Sequence, residues 1–126
     1  MPHEATYDAA LSPAAANVLG SAPIVEVARF RLKPETSRDA WLACIARGTQ
    51  LLANDAGCRG YAAGFVEGKR EFLVLVGWDS VDAHSACVAK QKVDPAAPLH
   101  EYDTMADGVE MYHVAIREVM PGISRH

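Results

Sequence analysis

The sequence predicts a single α+β domain in which a four-stranded antiparallel sheet carries two helices on one face. The observation behind this is a regular change of pattern: segments with strand-like alternation or continuous apolar character are interspersed with segments of helical spacing. In chain order they read strand, helix, strand, strand, helix, strand, which is the ferredoxin-like βαββαβ arrangement. The length of 126 residues fits one such domain.

The first half of the pattern contains two strands and the longer helix. Residues 24–31 alternate, which places Glu26 on the same side as Ala28 in a strand. Residues 36–54 carry apolar residues at helical spacing, and residues 59–67 form the second strand. The stripe that this helix is expected to bury consists of Trp41, Ile45, Gly48 and Leu52.

The second half repeats the pattern around the most apolar stretch of the chain. Residues 72–76 are continuously apolar, as is typical of a strand buried on both faces. Ser80 or the aspartate before it can cap the next helix, which is expected to end near residue 90. Residues 99–106 are expected to form one or two helical turns, and residues 108–119 the last strand.

The apolar character of residues 72–76 on both sides also predicts a partner. Two helices cover only one face of a four-stranded sheet, so we expect a homodimer through the other face. The domain is expected to span residues 23–120. Residues 1–22 are an N-terminal extension that packs on its own domain or on a partner, and residues 121–126 are a C-terminal tail.

Composition excludes several function classes. The net charge is −4 and no basic cluster is present, so nucleic acid is not an expected partner. No apolar run approaches the roughly 18 residues of a membrane span, and the odd cysteine count without C-x-x-C spacing fits reduced thiols in the cytoplasm. Glycine-rich nucleotide motifs are absent and the histidine spacings match no metal motif, so neither cofactor nor metal is expected.

Three residues on or next to the predicted strands are candidates for chemistry. His84 lies early in the helix that follows it and is either a general acid or base or a structural histidine bound to a backbone carbonyl. Trp78 ends the strand, where it either stacks on a flat substrate or belongs to the core. Glu26 lies on an otherwise apolar strand face, either at the surface or in a pocket.

Further candidates lie on the second strand and late in the chain. The tyrosines could donate to a substrate carbonyl or phenolate, and His113 shares a strand face with apolar neighbours. Each residue is otherwise a satisfied structural side chain. These candidates are Tyr61, Phe65, His100, Tyr102, Tyr112 and His113.

Two segments carry a resemblance to a known family. Residues 24–34 read Ile-Val-Glu-Val-Ala-Arg-Phe-Arg-Leu-Lys-Pro, and residues 76–84 read Val-Gly-Trp-Asp-Ser-Val-Asp-Ala-His. They resemble the opening strand and the strand-to-helix junction of antibiotic biosynthesis monooxygenase-like domains in the dimeric α/β-barrel superfamily. The resemblance covers roughly residues 24–119. It implies two sheets paired back to back, with a pocket between each sheet and its helices.

The resemblance implies a cofactor-independent enzyme of secondary metabolism that oxygenates an aromatic or polyketide-like substrate through its deprotonated phenol or enol. His84 would be the base, Trp78 and Phe65 the stacking walls, and Tyr102 or His113 a donor to the developing oxyanion. Alternatives that use the same pocket are a non-oxidative cyclase, lyase or isomerase, and a non-catalytic binding or stress-response dimer. Haem-degrading members carry an Asn on the first strand, where this chain offers Glu26 and Arg29.

Overall fold

A computed structural model describes residues 22–116 of the chain, and the predicted α+β fold is confirmed. The elements are β1 (Ile24–Leu32), α1 (Arg38–Ala53), β2 (Cys58–Phe65), β3 (Glu71–Trp78), α2 (Val81–Lys92), α3 (Leu99–Met105) and β4 (Ala106–Ala115). The predicted N-terminal extension, apart from Ala22, and the predicted C-terminal tail lie outside the described residues.

The sheet has the strand order β2-β3-β1-β4, and every neighbouring pair is antiparallel. The two central strands are therefore β1 and β3. Glu26 in β1 lies opposite Val76 of β3 on one side and opposite His113 of β4 on the other. This register brings residues that are far apart in the sequence onto one short stretch of the sheet.

Some helices and strands begin or end at residues other than the predicted ones. Helix α1 begins after Ser37, whose Oγ accepts a hydrogen bond from the Ala40 amide. The predicted turns at residues 99–106 form a helix that passes directly into β4. Strand β4 ends at Ala115, and residues 117–119 of the predicted strand lie outside the described part of the chain.

The core lies between the sheet and the helices. Trp41 of α1 is fully buried and packs against Phe30 and Phe72 with ring centroids 5.1 and 5.7 Å apart. Tyr102 of α3 completes this aromatic group at 5.4 Å from Phe30. A second apolar cluster, around Val76 and the ring of Trp78, packs under α2. The two clusters fix all three helices on the same face of the sheet.

The opposite face of the sheet, here called the back face, carries side chains that alternate with those of the core. In its apolar half, Tyr112 is 56% exposed and Val114 is 39% exposed. In its charged half, Arg29 forms an ion pair with Glu110 at 2.8 Å. Its other apolar members include the partly buried Val27, Leu73 and Leu75 and the buried Val25. Within residues 22–116, no helix is long and apolar enough to cross a membrane.

Candidate functional site

A cavity of about 400 Å³ opens between the sheet and the three helices. For scale, a cavity of about 150 Å³ holds benzene, so this space admits a molecule of two or three fused rings. Its walls are mostly apolar, which suits the burial of such a ring system. The apolar lining includes Ala28, Phe30, Ile45, Leu52, Val74 and Met111.

The polar floor of the cavity is built around Glu26. Its Oε1 accepts a hydrogen bond from Trp78 Nε1 at 2.9 Å and lies 3.1 Å from His84 Nε2. Within residues 22–116, Oε2 has no hydrogen-bond partner. One carboxylate oxygen is thus held by two donors, and the other remains able to accept a hydrogen bond or a proton from a molecule in the cavity.

His84 is held on both of its ring nitrogens. Helix α2 begins after Ser80, whose Oγ accepts a hydrogen bond from the Ala83 amide. The imidazole of His84 stacks on the ring of Trp78, with the two ring centroids 5.0 Å apart. The Nδ1 of His84 lies 2.7 Å from His113 Nε2. When Glu26 accepts from Nε2–H, Nδ1 of the neutral ring has to accept from His113 Nε2–H. The tautomers of both histidines follow from this chain of contacts.

Burial favours the neutral form of His84. Desolvation is the main cause that lowers the pKa of this imidazole, His113 lowers it further, and the carboxylate of Glu26 acts in the opposite direction. A neutral ring with both nitrogens engaged has no lone pair left for a substrate. For the ring itself to take a proton, as expected from the sequence, it would have to break one of these contacts.

The side chains of Glu26, His84 and His113 do not form a metal centre. Glu26 and His113 contact different nitrogens of His84, so the donor atoms do not converge on one point. No cluster of three or more His, Cys, Asp or Glu side chains among residues 22–116 has an arrangement that could hold a metal ion. The arrangement is that of a hydrogen-bonded chain suited to holding and moving a proton.

Tyr102 supplies a second polar group to the cavity. Desolvation is the main cause that raises the pKa of its phenol, so the hydroxyl keeps its proton and can donate it in a hydrogen bond. The hydroxyl has no hydrogen-bond partner in the described part of the chain and is not fully enclosed. A ligand oxygen in the cavity is therefore a suitable acceptor.

The structure brings most of the sequence-predicted residues together. Glu26, Tyr61, Trp78, His84 and Tyr102 line the cavity. His113 lies behind His84, because the pairing of β4 with β1 puts it opposite Glu26. Trp78 lines the cavity and is only 1% exposed, so it belongs to the cavity wall and to the core at once.

Three other predicted residues do not line the cavity. The ring of Phe65 packs on Phe72, with the Arg38 guanidinium 4.0 Å above its centroid. His100 uses Nε2 to donate to the Gln91 carbonyl at 3.0 Å, which ties α3 to the end of α2. Tyr112 belongs to the back face, because its neighbour His113 points towards the helices and side chains alternate along a strand.

Some lining residues had not been predicted as site residues. Ile45, Gly48 and Leu52 belong to the apolar stripe of α1 that was expected to fill the core, and they also form a wall of the cavity. Lys92 and Asp103 add charge to the lining from α2 and α3. The stripe was visible in the sequence, but its spacing does not say whether a helix packs on the sheet or stands off from it.

Comparison with known proteins places these features in a family context. The family model described as antibiotic biosynthesis monooxygenase matches residues 23–93, which is more than half of the chain. That region includes β1, β3 and α2, and so contains Glu26, Trp78 and His84. A search among curated proteins gives no significant match.

Solved structures similar to this chain have the same fold at low sequence identity. A variant of SnoaB, a cofactor-independent oxygenase from Streptomyces nogalater, is 16% identical, with a TM-score of 0.67 over 78% of this chain and 96% of that one. A Mycobacterium tuberculosis protein is 17% identical, with a TM-score of 0.64 over 76% and 96%. A dimeric ferredoxin-like protein of unknown function from Thermobifida fusca is 22% identical, with a TM-score of 0.59 over 74% and 90%.

Proposed function

Because this chain belongs to the antibiotic biosynthesis monooxygenase family, we propose that it oxygenates a flat aromatic or polyketide-like molecule in the cavity without a tightly bound cofactor. The proposal is supported by the apolar cavity, which has room for two or three fused rings. It is also supported by the fold shared with SnoaB, which is a cofactor-independent oxygenase.

The observation that carries the proposal is the environment of Glu26. A carboxylate is expensive to bury in an apolar cavity unless hydrogen bonds support it. Here Trp78 and His84 hold one oxygen and leave the other able to accept a hydrogen bond or proton, as a general base requires. We therefore assign the base to Glu26, and give His84 the role of holding the carboxylate through Nε2–H while its Nδ1 accepts from His113.

The chemistry that this arrangement supports begins with proton removal. Glu26 takes a proton from a phenol, an enol or an activated CH₂ group, and the resulting anion supplies electrons to O₂. For a CH₂ group between aromatic rings the reaction balances as R₂CH₂ + O₂ → R₂C=O + H₂O, so one oxygen atom enters the product and the other leaves as water. Tyr102 donates a hydrogen bond to the negative oxygen that develops. The apolar walls orient the ring system and exclude water.

The test is oxygen consumption by chelator-treated protein with a panel of acidic bicyclic and tricyclic phenols and anthrone-type ketones. Glu26→Gln keeps an oxygen for the two donors and removes the base. It should lower turnover by about 10²–10⁴-fold while the unfolding temperature stays close to that of the unaltered protein. Glu35→Gln changes an exposed glutamate after β1 and is the matched control, which should keep full activity.

Two outcomes would replace the oxygenase assignment. Substrate consumption that depends on Glu26 but uses no O₂ would indicate a cyclase, lyase or isomerase that works with the same base. Tight binding without turnover, equal in both variants, would indicate a non-catalytic binding protein.

A further inference from the structure

The backbone conformation in the middle of α1 does not require the glycine found there. Gly48 lies within a regular helix and is not among the described glycines with positive φ. Glycine is the poorest helix former after proline, so an interior glycine usually has a packing reason. The reason at this position is the side chain that lies directly against it, on α3.

The neighbour is the hydroxyl of Tyr102. A Cβ atom built on Gly48 would lie 2.5 Å from Tyr102 Oη, which is closer than non-bonded atoms approach. The next nearest atoms are Tyr102 Cζ at 3.8 Å and Pro98 Cγ at 4.0 Å, which are ordinary contacts. A single oxygen atom therefore excludes a side chain at position 48.

The tyrosine ring has little room to move aside. It packs 5.4 Å from the Phe30 ring and 5.6 Å from the Trp41 ring, centroid to centroid. Trp41 is 0% exposed and Phe30 is 8% exposed, so displacing the phenol would disturb the aromatic core. Gly48 and Tyr102 both line the cavity, and the hydroxyl has no partner among the described residues.

We propose that Gly48 is a positioning residue that holds the Tyr102 hydroxyl at one place in the cavity, where it donates a hydrogen bond to a phenol, phenolate or carbonyl oxygen of the ligand. The proposal rests on the proposed function in one respect, namely that the ligand is an oxygenated ring system bound in this cavity. The missing side chain at position 48 forms a notch for the hydroxyl, and the aromatic core holds the ring behind it.

Thermal unfolding of Gly48→Ala in two backgrounds tests the notch. With Tyr102 present, the alanine should lower the unfolding temperature, because its Cβ competes with Oη for the same space. In the Tyr102→Phe background the clash is gone, and the same alanine should raise the unfolding temperature through its better helix propensity. An alanine that stabilises both backgrounds equally would overturn the proposal.

Binding of β-naphthol and naphthalene tests the hydrogen bond, since the two probes share a ring system and differ by one hydroxyl. Both Gly48→Ala and Tyr102→Phe should weaken β-naphthol binding by about tenfold, with naphthalene binding unchanged in Tyr102→Phe. The double variant should bind β-naphthol no more weakly than Tyr102→Phe alone, because the glycine acts through the hydroxyl.

The possible failures are distinguishable. Equal weakening of both probes by Tyr102→Phe would show that the hydroxyl does not contact the ligand oxygen and would overturn this inference. Absence of O₂ uptake with every substrate would defeat the oxygenase assignment while leaving the thermal and binding results intact. Failure of both probes to bind the unaltered protein would count against the ligand class and so against both.

Discussion

At the scale of single residues, the two tryptophans show how differently one side chain can be used. Both are essentially unexposed, at 0% for Trp41 and 1% for Trp78. The Nε1 of Trp41 is buried without a hydrogen-bond partner, whereas Nε1 of Trp78 donates to Glu26. The first tryptophan is thus a packing residue that carries an unsatisfied donor, and the second joins the core to the polar floor of the cavity.

This contrast gives a paired prediction. Trp78→Phe and Trp41→Phe remove the same indole atoms, but only the first removes a hydrogen bond to a carboxylate. Trp78→Phe should lower the free energy of unfolding by about 1.5–3 kcal/mol more than Trp41→Phe does. Denaturant titration of both variants measures the difference, and equal losses would show that the contact with Glu26 contributes nothing to stability.

Residue patterns predicted part of the site and could not predict the rest. Alternation along β1 was enough to place Glu26 on an apolar face, and the strand-to-helix junction was enough to place His84 early in α2. Neither pattern predicted that the two side chains meet. The contact between His84 and His113 depends on how β4 pairs with β1, and that register shifts between Arg31 and Leu32. A one-residue shift moves every side chain of a strand to the other face, and sequence spacing alone does not reveal it.

At the scale of elements, α2 is the part whose placement decides the site. Its first turn lies against the loop between α1 and β2, where a Cβ on Gly57 would come within 2.7 Å of Ala83 Cβ. The amide of Asp79 donates to the Gly57 carbonyl at 2.9 Å, and Ser80 caps the helix. These contacts fix the start of α2 one turn before His84. The position of the imidazole is therefore determined by where α2 begins.

The N-caps of α1 and α2 provide a matched pair of variants. Ser37→Ala and Ser80→Ala each remove one side-chain hydrogen bond of 3.0 Å to a backbone amide, and each should cost about 1 kcal/mol of stability. Only Ser80→Ala should also change the imidazole resonances of His84 and reduce turnover, because only α2 carries that ring. If both variants change the resonances equally, the effect comes from general loosening rather than from the start of α2.

At the scale of the whole molecule, the sheet has two faces with different surroundings. One face is covered by the three helices and contains the cavity. The back face exposes Tyr112 and Val114 next to the partly buried Val27, Leu73 and Leu75. A contiguous apolar sheet face of this kind is typical of a protein interface, so we propose that two chains pair through it.

Light scattering tests the pairing. The unaltered protein should have the mass of a dimer at micromolar concentration, and Tyr112→Lys combined with Val114→Lys should give a monomer, because two ammonium groups on each chain oppose the contact. Val93→Lys is the control, since Val93 is 83% exposed after the end of α2 and should leave the dimer intact. A monomeric unaltered protein would contradict the pairing through the sheet.

The alternation of side chains along β1 has an evolutionary consequence. Glu26, Ala28 and Phe30 of this central strand line the cavity, and the residues between them contribute to the back face, so no single side chain is under both constraints. A lineage can therefore change the shape or chemistry of the cavity while the back face drifts independently. We expect natural variation at Ala28 to follow the ligand, and variation at Val27, its neighbour in the chain, to follow the partner surface.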